Sequence, residues 1–205
     1  VVFIFGYSFS FGQLEKLTAP FITSFEISSL GIRSVQQLDQ SKNGLYYMAT
    51  SAGLLETDGV NHYLYRKGKL TNLSAIYVVS DDLIFSAGLG GFGRWDKNEF
   101  GDFEYTSLHY VSPTKEDYLQ PTFRNVVIHK NIVVFKSQDL LFYYNLNKGD
   151  ISSLKAPKYF NNIYKTKSFL FFSDFDGGVY TINGDDVTLF ADFGKTNSQL
   201  VNVIE

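Results

Sequence analysis

The sequence predicts an all-β fold, a β-propeller of four four-stranded blades followed by the start of a fifth. Three observations predict it. Short apolar runs of strand length recur in groups of four at a period of about forty residues, the period of a propeller blade. Gly paired with Asn or Asp separates many of the runs, as tight hairpins require. Helical periodicity is nearly absent, with only Glu15 to Ala19 able to form a short turn. The 205 residues include 20 Phe, 14 Tyr and one Trp, and such rings suit a pleated, half-buried surface.

Residues 1–12, Val1 to Gly12, are apolar throughout, with Ser10 and Gly12 at the small-residue positions that precede a signal-peptidase cut. They read as the end of a secretory signal peptide, the other reading being a buried first strand. Twelve apolar residues are too few to span a bilayer, which takes about 20, and no longer apolar stretch occurs. Residues 13–30 are a lead-in, and residues 31–205 a partial propeller.

The first blade, about 31–70, carries runs at Val35–Leu38, Leu45–Thr50, Gly53–Thr57 and His62–Tyr65. The second, about 71–111, carries Ile76–Val79, Leu83–Ala87, Gly93–Asp96 and Phe103–Thr106. The third, about 120–156, carries Val126–Ile128, Ile132–Phe135, Leu140–Tyr144 and Ile151–Leu154. The fourth, about 158–193, carries Ile163–Lys165, Phe169–Phe172, Val179–Ile182 and Val187–Phe190. A fifth begins at about 199 with Val201–Ile204. The opening positions Val35, Ile76, Val126, Ile163 and Val201 stand 41, 50, 37 and 38 residues apart. The long step holds an insertion at Ser112–Asp117, a polar loop containing Pro113. A single four-stranded sheet cannot bury both faces, so the blades are expected to stack around an axis. Four do not close a ring comfortably, and the expectation is a fragment of a larger, about seven-bladed propeller.

Composition narrows the function classes. A net charge of −3 and a pI near 5.6, without a Lys/Arg stripe, give no basis for nucleic-acid binding by this segment. The absence of cysteine removes disulfides, Cys-based zinc sites and thiol nucleophiles. No G-x-S-x-G, Ser-x-x-Lys or Walker sequence occurs.

The first unit resembles the two-component regulator propeller repeat, through Asp39, Gly44, Tyr46, Thr50, Gly53, Leu54, Asp58 and Gly59. That family prefers Trp where Tyr46 or Tyr47 stands. The second unit, Ser86 to Trp95 followed by Phe103 to Leu108, is similar to a subgroup found in extracytoplasmic sensors of Bacteroidota. The third and fourth units keep the strand pattern without the Asp-Gly signature, so the resemblance is motif-specific over about residues 32–108. It implies a periplasmic or extracytoplasmic sensor within a membrane-anchored receptor that regulates transcription. It also implies a carbohydrate or other small-molecule ligand, with further blades and downstream domains in the same chain. A homodimer is also among the expected partners.

The candidate ligand-binding residues are Phe92, Arg94 and Trp95. Arg94 and Trp95 are adjacent on a strand and therefore point to opposite faces; one could face a ligand, the alternative being that Trp95 packs between blades. Gly88-Leu89-Gly90-Gly91-Phe92-Gly93 formally matches G-x-G-x-x-G, but a dinucleotide site needs a helix next. The residues after it, Arg94 to Gly101, read as a strand and a turn, so the segment is expected to be a flexible inter-strand loop near the propeller mouth. His62, His109 and His129 occupy non-equivalent positions with no metal-ligand spacing, and no metal or cofactor is expected. Asp81-Asp82 and Asp185-Asp186 fall in hairpin turns, where acids serve turn geometry more readily than glycoside hydrolysis. Binding is therefore expected over catalysis, with a propeller lyase or glycan hydrolase and a protein-interaction scaffold as the alternatives.

Overall fold

The computed structural model describes residues 26–66, 72–108, 121–155, 159–183 and 186–194. They form four antiparallel four-stranded sheets in chain order, as expected for an all-β propeller. The first sheet holds β1 (Val35–Gln40), β2 (Tyr46–Thr50), β3 (Gly53–Thr57) and β4 (His62–Tyr65). The second holds β5 (Leu73–Ser80), β6 (Leu83–Gly88), β7 (Gly91–Lys97) and β8 (Phe103–Ser107). The third holds β9 (Asn125–His129), β10 (Ile132–Lys136), β11 (Leu140–Asn145) and β12 (Ile151–Lys155). The fourth holds β13 (Phe160–Lys165), β14 (Leu170–Asp174), β15 (Gly178–Asn183) and β16 (Asp186–Asp192). A 3-10 turn at Ser28–Leu30 precedes them. The signal-peptide reading of residues 1–12, the turn at Glu15–Ala19, the Ser112–Asp117 insertion and the fifth unit lie outside the described residues.

The period-two alternation of each strand places consecutive side chains in different seams between blades. In β6, Ile84 packs with Tyr47, Leu54, Trp95 and Phe103 in the seam between the first and second blades. Its neighbour Phe85 packs with Phe92, Phe135 and Tyr144 in the seam between the second and third. In β10, Phe135 belongs to that second seam, whereas Val134 joins Leu141, Phe160 and Phe172 in the third. Each sheet therefore buries both faces only by stacking on its neighbours.

The first strand of each blade lies beside the first strand of the next: β1 against β5, β5 against β9, and β9 against β13. That arrangement turns the first strands toward a common axis. Each has its own blade on one side only, which leaves a row of backbone groups to satisfy on the other. On β5 two of these amides are met by side chains of β1. Ile76 N–H donates to Gln37 Oε1 (3.0 Å), and Val78 N–H donates to Asp39 Oδ2 (2.8 Å). Farther out, Lys97 Nζ of β7 reaches Glu56 Oε1 of β3 at 3.2 Å, and Tyr65 Oη donates to Glu56 Oε2 at 3.1 Å. Lys97 also lies 4.9 Å from the centre of the Phe103 ring, so one ammonium ties the first two blades together by charge and by ring contact.

The face of the fourth blade turned away from the third carries an aromatic row. Phe169 lies 5.8 Å from Phe171, and Phe171 lies 5.1 Å from Phe190. Phe169 and Phe190 are 54% and 65% exposed, well beyond what a finished sheet face normally leaves to water.

Candidate functional site

The strand order gives the molecule two rims. One, the crossover rim, bears the turns between second and third strands and the connections between blades. The other bears the remaining hairpins.

Four equivalent turns build the crossover rim, and three carry a polar side chain that closes them. Thr50 Oγ1 donates to Gly53 O (2.7 Å) and accepts from Ala52 N–H (3.1 Å). Ser137 Oγ accepts from Leu140 N–H (3.0 Å). Asp174 Oδ1 accepts from Asp176 and Gly178 N–H, both at 2.8 Å, while Oδ2 accepts from Tyr180 Oη at 2.8 Å. The Tyr180 hydroxyl is pushed up to about 12 by burial and by this carboxylate. The second blade has Gly88 at that position and closes its turn through the backbone. Leu89 N–H donates to Asn72 O, Gly90 N–H to Pro121 O and Phe123 N–H to Gly88 O, at 3.2, 3.0 and 3.0 Å.

The Gly-rich segment is therefore a clasped hairpin turn rather than the flexible loop expected from sequence. It leads into β7, not into a helix whose N-terminus could hold a pyrophosphate. Gly88 is required by a close approach, since a Cβ there would stand 2.1 Å from Asn72 O. At Gly53 a φ of 133° and a would-be Cβ 2.2 Å from Tyr65 O impose the same residue.

Lys136 and Arg124 also belong to this rim. Lys136 ends β10 and is only 5% exposed, and Arg124 N–H donates to Lys136 O at 3.0 Å. Burial, reinforced by the Arg124 charge, holds the Lys136 ammonium down at about 8.

The axis is lined by β1, β5, β9 and β13. Lys165 Nζ of β13 reaches across β9 to Tyr77 of β5, 3.5 Å from its hydroxyl and 5.7 Å from its ring centre. On the opposite face of β13, Asn162 Nδ2 donates to Tyr164 Oη at 3.2 Å. Gln36 and Gln40 are exposed on β1. The axis therefore presents amides, phenols and an ammonium, groups able to hydrogen-bond hydroxyls and to stack on the apolar face of a ring.

The three residues singled out from sequence are not brought together at this axis; all lie on β7, a third strand. Phe92 has no exposure and stacks on Phe135 at 4.2 Å, with Phe123 and Phe142 at 4.9 and 5.1 Å. Trp95 also has no exposure; its Nε1–H donates to Ser86 Oγ at 2.8 Å, and its ring lies 4.8 Å from Tyr105. Both rings are core, which leaves them no surface for a ligand in this arrangement. Arg94 alone of the three reaches solvent. It pairs with Asp96 (2.8 Å) and reaches Tyr144 Oη of the third blade at 3.5 Å, so it links two blades. As expected, Arg94 and Trp95 face opposite seams.

The histidines are dispersed as well. His62 Nδ1 meets Thr57 Oγ1 at 2.7 Å, and His129 Nε2 meets Ser168 O at 3.2 Å; His109 lies outside the described residues. Asp81 and Asp82 fall between β5 and β6, and Asn43 Nδ2 donates to Asp81 Oδ2. Among the described residues no group of three His, Asp or Glu side chains is placed to hold a metal.

No protein-family model matches the sequence, and no curated protein matches it. Solved structures do match the fold. The extracellular domain of a hybrid two-component system from B. thetaiotaomicron superposes with a TM-score of 0.56 at 17% identity, over 78% of this chain and 25% of that one. A second such ectodomain from the same organism gives 0.55 at 14%, over 74% and 20%. Virginiamycin B lyase from Staphylococcus aureus gives 0.58 at 13%, over 76% and 55%. The chain thus spans about a fifth to a quarter of the length of the two ectodomains. At these identities the likeness shows the β-propeller fold.

Proposed function

We propose that this chain is the ligand-sensing propeller, or part of it, of an extracytoplasmic receptor that regulates transcription across a membrane, and that it recognises a carbohydrate or similar polyhydroxylated small molecule. The observation that carries this reading is the axis itself. Its strands place Tyr77 and Lys165, from two different blades, in mutual contact, with the exposed amides Gln36 and Gln40 and the exposed apolar side chains Leu38 and Val79 on the same lining strands. Rings with amides and a cation suit a sugar, whose hydroxyls need partners and whose ring faces can stack. The resemblance of residues 32–108 to sensor propeller repeats, and the ectodomains among the structural neighbours, support the same reading. The exposed aromatic row of the fourth blade supports a further blade stacked upon it. No helix among the described residues is long and apolar enough to cross a membrane.

The test is a thermal-shift screen of the full-length protein against neutral and acidic glycans. A glycan at a hundredfold its Kd should stabilise by about 2.7 kcal/mol, and Tyr77→Ala should remove most of that shift, measured against the variant's own unliganded Tm because Tyr77 also packs on the seam between the second and third blades. Silence across the panel, or a hit indifferent to both Tyr77→Ala and Lys165→Ala, overturns the reading.

A further inference from the structure

Side chains of β1 fasten β5 to the first blade rung by rung, and the last rung is unlike the others. Gln37 Oε1 accepts from Ile76 N–H and Asp39 Oδ2 from Val78 N–H, so each step of two along β1 meets a step of two along β5. Ser41 is the next residue on that face. Its N–H donates to Leu45 O at 2.9 Å, which carries the β1–β2 pairing one residue past Gln40. Alternation then turns its side chain toward the end of β5. No amide meets Ser41 Oγ there. The pairing of β5 with β6 shifts between Val78 and Ser80, and Asp82 N–H donates to Ser80 Oγ at 3.2 Å.

Two unmet oxygens lie in the turns that end this ladder. Ser41 Oγ and Asp81 Oδ1 are both buried, and neither makes a hydrogen bond; Ser41 as a whole is only 8% exposed. The turns that carry them touch. Asn43 Nδ2 donates to Asp81 Oδ2, and Tyr47 Oη donates to Asp81 O at 3.5 Å. The local charge is negative, since Asp81 and Asp82 belong to neither of the ion pairs among the described residues. Burial first, then the charges of Glu56, Asp81 and Asp82, hold the Tyr47 hydroxyl above the usual phenol range. A buried carboxylate oxygen and a buried hydroxyl are costly to leave unmet, and one cation satisfies both.

We propose that Ser41 Oγ and Asp81 Oδ1 bind a calcium ion where the β1–β2 and β5–β6 turns meet, with Asp82 supplying the second negative charge. Carboxylate and hydroxyl oxygens suit a hard cation, and two acids outside any ion pair suit a divalent one. Burial of both oxygens favours calcium over magnesium, which gives up its water reluctantly. A hydroxyl and two aspartates make a smaller set than a three-acid cluster, so the affinity is modest, with a Kd of about 0.1–1 mM, the range of extracellular calcium modules. Ser41 and Asp81 stand one blade apart in the chain, and no local spacing marks the site. The ion fastens the first two blades at the rim opposite the crossover turns. It uses neither Tyr77 nor Lys165 and stands whether or not the chain senses sugars.

The experiment titrates the EDTA-treated full-length protein with calcium chloride or magnesium chloride at matched ionic strength, following Tm and the ¹⁵N amide spectrum. Calcium at about 10 mM, about tenfold above the weaker end of that Kd range, should raise Tm by at least about 3 °C. The amides of Ser41, Asn43, Asp81 and Asp82 should shift together along one saturating curve, and magnesium should give a clearly smaller rise in Tm. Asp81→Asn should abolish the calcium-specific rise and Ser41→Ala should weaken it, whereas Asp58→Asn, in the β3–β4 turn, should keep it. Equal rises in calcium and magnesium, or amide shifts that climb without saturating, indicate screening of surface charge and overturn the proposal. So does an unchanged Tm, or an Asp81→Asn protein that keeps the wild-type response. Should Asp81→Asn fail to fold, the wild-type amide titration decides alone.

Discussion

Phe92 separates a ligand-facing role from a structural one, and truncating it measures which holds. The ring is fully buried, 4.2 Å from Phe135 and within 5.1 Å of Phe123 and Phe142. It joins a second-blade strand to three elements of the third. Removing a buried Phe to the β-carbon costs about 3–5 kcal/mol through lost transfer energy and the cavity left behind. With about 4 kcal/mol as the central value, Phe92→Ala should lower Tm by about 8–16 °C for a chain of this size. Phe92→Leu, which refills most of the volume, should cost about a third as much. Urea unfolding read by two probes is the assay. Far-UV circular dichroism reports all four sheets, while fluorescence of Trp95, the single tryptophan, reports the seam between the first two blades. A shared fall in midpoint means that the blades unfold as one unit. A loss below about 1 kcal/mol, within the range of surface substitutions, would refute the packing assignment. Such a loss accompanied by weaker ligand binding would return Phe92 to a ligand surface.

Three further outcomes rest on single contacts. Glu56→Gln and Lys97→Met should each cost about 2–4 kcal/mol, somewhat below the cost of breaking a fully buried pair, because Lys97 is 18% exposed. The double variant should fall short of their sum by about 1–2 kcal/mol, and additivity within about 0.5 kcal/mol would mean that the two charges do not interact across the seam. Asp39→Ala should leave the Val78 N–H unmet at a cost of about 1–2 kcal/mol. It should speed hydrogen exchange at Val78 while Ile76, still held by Gln37, stays protected; unchanged exchange at Val78 would contradict the edge-capping role. Asp58 accepts from Asn61 N–H, Asn61 Nδ2 and Val60 N–H, which lowers its carboxyl from 3.8 to about 2. Because the folded value is depressed, its contribution is complete above about pH 4 and is lost as pH falls toward 2, so the β3–β4 turn should loosen only in that window. A ¹³C titration of Asp58 centred near its ordinary value would rule this out.

The fold was legible because a propeller writes its period into the chain. Gly44 and Gly59, both at positive φ, sit where the Asn-Gly and Asp-Gly pairs placed hairpins, and the four apolar runs of each unit became its four strands. The site was not legible in the same way. Phe92 and Trp95 attracted notice as conspicuous aromatics beside a glycine run, yet in a fold of stacked sheets the largest rings are most useful between blades. The relevant signal was strand rank: third strands stand away from the axis, and only first strands line it. Tyr77 and Lys165 could have been found by asking which polar residues fall on first strands. Their contact, 88 positions apart in the chain, depends on how far the blades rotate about the axis, which no local pattern records.

Lys136 shows a second limit, and a way past it. The sequence reading ends its strand at Phe135, the last of the four apolar residues from Ile132. The structure continues β10 by one residue, and that extension changes the physical question asked of the lysine. As a turn residue it would be solvated and need no explanation. As the last strand residue it shares a rank with Ala49 and Ala87, and its face is closed by the fourth blade. Burial comes from the register of β10 with β9 and β11 rather than from any apolar character of its own. A repeat protein therefore supplies a comparison that a single non-repetitive domain lacks. Each blade states what its position needs for packing alone, so a departure at an equivalent position isolates what packing does not require. By that measure the second blade departs at Gly88, where backbone from Asn72 and Pro121 accounts for the change. The third departs at Lys136, which belongs to neither of the ion pairs among the described residues. The first departure is explained by close backbone packing; the second places a cation where packing alone asks for a small side chain.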